Sequence, residues 1–165
     1  MSAVATSWRQ APPPVRAIAV AVLDAVAAAR AEHREVFDDA VAQLAAQDPT
    51  RVQVLLGDVV RMLLEATHLD GLSGDDVATV LDGCVRSAAP WFPEVDPGVL
   101  VVLLVGALGV HGGEEDEPRE ITALEVAQHA PLLVADLLAF KAEPLDGYLD
   151  AAVAELARTQ TIEMP

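Results

Sequence analysis

The sequence predicts an all-α, single-domain bundle of about six helices packed around a buried central helix at 97–111. Three observations carry this. Apolar residues recur at three- and four-residue steps through most of the chain, the period of a helix with one buried face. Helix-opening signals, Asp-Pro pairs and Ser/Thr-x-x-acid boxes, stand where those periodic stretches begin. The run Val99 to Val110 (VLVVLLVGALGV) carries no polar side chain, so it has no face to give to water and belongs inside a core.

Residues 1–11 lack an apolar period and are expected as a flexible N-terminal arm, ended by Pro12, Pro13 and Pro14. The bundle domain then spans 12–159, and 160–165 should fray. Val15, Ile18, Val22, Val26, Ala29, Phe37, Val41 and Leu44 continue one helical period as far as Asp48. The stretch Arg30 to Glu35 is polar but holds neither Pro nor Gly, so one long helix over 14–47, about 50 Å at 1.5 Å per residue, is favoured over two.

Asp48-Pro49 opens a helix whose apolar face is Val52, Leu55, Leu56, Val59, Leu63 and Ala66 and which ends by Asp70-Gly71. Ser73 and Asp76 form a capping box for the next, with Val77, Val80, Leu81, Cys84, Val85 and Ala88 inward. Asp96-Pro97 opens the helix through 99–110, closed by His111 and Gly112-Gly113; a buried strand is the alternative, but no second strand exists to pair with it. Gly106 and Gly109 read as points of close helix packing. Thr122 and Glu125 make another capping box, with a staple between Ile121 and Val126, and Pro131 should kink the helix that continues through Leu133, Leu137 and Phe140. Pro144 opens a last helix with Leu145, Leu149, Ala152, Val153 and Leu156 inward.

Composition excludes several function classes. The formal charge is −16, of which residues 1–61 hold only −1 and residues 62–165 hold −15. That field repels phosphate backbones and anionic lipid, so neither nucleic acid nor membrane is expected as a partner. Asp24 interrupts the only leader-like apolar stretch, and the run at 99–110 is too short to cross a bilayer. The lone Cys84 reads as a small core residue in a reducing, cytoplasmic setting. One lysine against nine arginines, with Ala and Val abundant, is the bias of a GC-rich bacterial genome.

No nucleophile elbow or phosphate loop is present. Glu65 and His68 stand at the i, i+3 spacing of helical metal ligands, and Glu125 with His129 at i, i+4, with Glu32, His33 and Glu35 as further oxygens and nitrogen. Dinuclear bundle sites need two Glu-x-x-His pairs plus two more carboxylates, so no metal or cofactor is expected, and the histidines read as ordinary polar positions near helix ends. His111 is accounted for by a helix C-terminus, and Glu114 to Glu117 by a solvated loop. Trp91 and Phe92, stiffened by Pro90 and Pro93, read either as interface anchors or as a plug folded back over the end of the bundle.

The 53% apolar content exceeds the roughly 45–50% usual for a soluble domain and points to a covered surface. The function expected is therefore non-enzymatic association, first with a second copy, through a projecting stripe of Val36, Phe37, Val41 and Leu44 and through Trp91 and Phe92. The alternatives are a small-molecule or sensor bundle with an apolar pocket between the first helix, helix 97–111 and the Pro131 helix, a metal-dependent bundle enzyme, and an acidic mimic of nucleic acid.

Overall fold

The computed structural model describes residues 7–109, 120–139 and 144–163. Among them are seven α-helices, no strand, and a single 3-10 turn at Trp8–Gln10. The helices are α1 (Pro13–Arg30), α2 (Arg34–Ala45), α3 (Pro49–Thr67), α4 (Gly74–Ala88), α5 (Pro97–Leu108), α6 (Ala123–Leu138) and α7 (Leu145–Glu163).

The opening signals act where the sequence places them. Asp48 accepts the N–H of Thr50 ahead of Pro49, and Asp96 accepts that of Gly98 ahead of Pro97. Ser73 with Asp76 and Thr122 with Glu125 each exchange both hydrogen bonds of a capping box. The helix over 123–138 passes through Pro131 without ending. Phe140, His111, Gly112-Gly113 and the acidic loop lie outside the described residues.

The expected long helix over 14–47 is two helices folded into a hairpin. The chain turns at Glu32, whose φ of +54° is left-handed. The N–H of His33 reaches the carbonyl of Ala28 at 2.9 Å, and that of Glu32 reaches Ala29 at 3.1 Å. These two bonds satisfy the last carbonyls of α1 in the manner of a Schellman cap. His33 then caps α2 by accepting the Val36 N–H on its Nδ1. Glycine normally marks such a stop, and a glutamate there leaves no signal.

Nor is the helix at 97–111 the centre of the bundle. Only Val99, Leu100 and Leu104 of the twelve residues of α5 are buried. Ten of the sixteen residues of α6 are, and α6 packs against α1, α2, α3, α4 and α5. A run with no polar residue shows that a helix has nothing to offer water; it does not show that neighbours cover every side. Gly109, with φ +70°, is the left-handed cap that ends α5, and a Cβ at Gly106 or Gly109 would meet nothing within 4 Å, so neither marks close packing.

The segment expected as a loose arm is tied down from Ser7 onward. Trp8 is buried, and its backbone N–H donates to Asp150 of α7 at 2.7 Å. One indole can bury on the order of 150–250 Å² and anchor a segment that has no period at all. At the other end α7 continues through Glu163, past the expected boundary at 159.

Candidate functional site

The expected interface stripe is inside the protomer. Because α2 folds back, Phe37, Val41 and Leu44 point into the core and are fully or nearly fully buried, leaving Val36, 46% exposed, at the surface. Phe92 is buried too, and Trp91 is half-buried. Phe37 meets Trp91 edge-on at 5.0 Å and Phe92 at 5.6 Å, and Phe92 meets His129 at 6.0 Å. Arg34 closes this cluster from outside. Its guanidinium lies 4.5 Å over the Phe92 ring, donates to both oxygens of Glu94 at 2.8 and 3.0 Å, and to Asp38 at 2.9 Å. The aromatics therefore plug the junction of α2, α6 and the loop before α5.

The metal candidates do not converge, and no group of three His, Cys, Asp or Glu among the described residues is placed to hold an ion. His68 caps α3, with Nδ1 at 2.9 Å from the Thr67 hydroxyl and Nε2 4.0 Å from Asp76. His129 is buried on α6; Nε2 accepts the Asp96 N–H at 3.0 Å, which leaves Nδ1 to donate to the Glu125 carbonyl at 2.8 Å. Both ring nitrogens are thus engaged, Nε2 in joining the entry of α5 to α6 and Nδ1 within α6 itself. Glu65 stands on the exposed side of α3, 3.9 Å from Arg61.

Among the described residues the fold leaves apolar surface accessible along α5. Val101 is 39% exposed, and Val102, Leu103, Val105 and Leu108 are half-buried. Beside them a groove of about 430 Å³ runs between α3 and α5 and reaches the start of α6. Gly57 and Gly106 contribute to its walls, each with open space where a Cβ would stand, and Val54, 40% exposed, extends the apolar surface on α3. At its polar rim the Asp58 carboxylate lies 3.4 Å from Arg61. Burial pushes the Asp58 carboxyl above its ordinary value, and Arg61 opposes that shift. The face therefore offers aliphatic carbon with one closely matched pair of charges at its edge.

Other hollows line α4 and α6, where Ser87 of α4 donates to Asp136 of α6 at 3.2 Å. Among the described residues, clefts lie between α3 and α5 and along α4 and α6. Cys84 lies next to the latter, fully buried, its thiol pushed up to about 12 by burial and then by the nearby Asp136 charge. It packs as the small core residue its position in α4 suggests, and it carries no thiolate at neutral pH.

Comparison with family models, with curated proteins and with solved structures found no match. No helix among the described residues is long and apolar enough to cross a membrane.

Proposed function

We propose that the protein acts by association, and that its docking surface is the outer face of α5 with the adjoining α3–α5 groove, covered by a second copy of the chain. The observation that carries this reading is that a helix with no polar side chain keeps nine of its twelve residues at least partly accessible within the protomer. Contiguous apolar surface of that kind stays in water at a cost of about 25 cal/mol per Å², which covering removes.

Charge favours a second copy as the cover. Two chains of −16 repel each other over most approaches, but α5 has no charged side chain and the groove rim is neutralised by Asp58 and Arg61. A two-fold arrangement places the same uncharged face on both sides of the contact. Sedimentation equilibrium over about 1–100 μM should give a dimer. Val101→Glu should convert it to a monomer, whereas Val36→Glu, on the exposed part of α2, should leave it dimeric. A monomer mass for the wild type throughout that range, or a dimer indifferent to Val101→Glu, rejects the reading.

A further inference from the structure

Two hollows flank the Ser87–Asp136 pair. One of about 640 Å³ opens towards the end of α3, with Ala66, Val80 and Leu137 among its walls; another of about 330 Å³ opens towards the end of α1. Ser87 and Asp136 line both. The larger lies within the roughly 300–1,000 Å³ range of sites that hold small organic molecules.

Asp136 is the feature that packing alone does not account for. It is half-buried, and no Lys, Arg or His among the described residues lies within ion-pair distance of it. Ser87 supplies one hydrogen bond to Oδ1. The other oxygen, Oδ2, lies over Gly83 of α4, where an added Cβ would stand 3.5 Å away; the missing side chain leaves Oδ2 open along the wall of the larger hollow. Burial pushes the carboxyl upward and only the Ser87 bond counters it. Among the described residues, the other charged or titratable groups lining the two hollows are His68, Arg86, Arg30, Glu32 and Cys84. His68 is held by Thr67 and Asp76, Arg86 is paired with Asp82 at 2.8 Å and is 79% exposed, and Arg30 and Glu32 belong to the smaller hollow.

We propose that this cleft is a binding site for a small organic amine, whose ammonium group pairs with Asp136 Oδ2 while its apolar body lies in the larger hollow over Ala66, Val80 and Leu137. A metal ion is a poor occupant, because one carboxylate and one hydroxyl fall short of the six or more oxygens a hard cation takes. An ammonium needs only a few acceptors, and the field of a −16 chain concentrates cations at its surface. The site uses no residue of the α5 face and stands whether or not the chain dimerises.

The test uses three probes of one shape, 4-phenylbutylamine, 4-phenylbutanol and 4-phenylbutyrate, titrated into the full chain at pH 7 and followed through the methyl resonances of Val80 and Leu137. The amine should bind at least about tenfold more tightly than the alcohol, and the carboxylate weakest of the three. Asp136→Asn, which keeps the side-chain shape and an oxygen for Ser87, should bring the amine to the affinity of the alcohol and leave the alcohol unchanged. Equal affinity of amine and alcohol for the wild type overturns the proposal. So does amine affinity that survives Asp136→Asn, the signature of diffuse attraction to an acidic protein, and so does failure of all three probes to move those methyls.

Discussion

The backbone N–H of Asp96 donates to Nε2 of His129 at 3.0 Å, so the residue that caps α5 is itself held by α6. His129→Leu removes the acceptor for Asp96 and the donor for Glu125 from a buried position, and should cost about 1–3 kcal/mol in urea unfolding. His129→Gln, whose amide can both donate and accept, should recover part of the loss. Equal stability of His129→Leu and the wild type would show that the clip carries no weight.

The turn at Glu32 makes a prediction whose sign separates a hairpin from a continuous helix. A left-handed residue other than glycine costs about 1–2 kcal/mol, so Glu32→Gly should raise stability by up to about 1 kcal/mol after the entropy of the unfolded glycine is counted. In an unbroken helix the same change would lower stability by about as much. Glu32→Val, β-branched at positive φ, should destabilise. Thermal melts of the three proteins check this.

These residues also show what was legible before the structure. The caps at Asp48, Ser73, Asp96 and Thr122 were readable because capping is local: the partner is two or three residues away and its type is specific. The end of α1 was not, since the Schellman bonds of Glu32 and His33 are made by backbone and leave the side chain unconstrained. A helix continuous through that turn would carry Phe37 out on a projecting face, and the turn instead folds it into the core. The Ser87–Asp136 pair, 49 residues apart in sequence, had no local signature at all.

The acid-side stability of the protein should reflect two opposed sets of carboxyls. Burial raises Asp58 and Asp136 above their ordinary values. A raised native value means that the native state takes up a proton before the unfolded chain does, so these two carboxyls should favour the folded state increasingly as pH falls towards the ordinary carboxylate range. Asp76, held by Ser73, and Glu94, held by Arg34, are lowered. Their contribution is present above the ordinary carboxylate range and is lost as pH drops through their native values, so the gain should reverse below about pH 4. Asp136→Asn should be more stable than the wild type at pH 7 and show a shallower rise on acidification. Identical pH dependence of stability for Asp136→Asn and the wild type contradicts this.

Leu104 and Val101 occupy the same helix, and an acidic residue at each should have opposite consequences. Leu104 is fully buried, and an unpaired carboxylate there costs several kcal/mol, a large share of the roughly 5–15 kcal/mol that holds a domain together. Leu104→Asp should therefore yield no soluble folded protein. Val101 is 39% exposed, so a carboxylate at that position can reach water, and Val101→Glu should fold with a helical circular dichroism spectrum like that of the wild type. Gly106→Ala gives a third reading: no atom stands within 4 Å of the added methyl, and relief of a helical glycine should add about 0.5–1 kcal/mol to the protomer. Measured at high dilution, that gain reports on the fold alone. If Leu104→Asp folds normally, α5 is not anchored by that side chain; if Val101→Glu fails to fold, its outer face is part of the protomer's own core and has no vacancy for a partner.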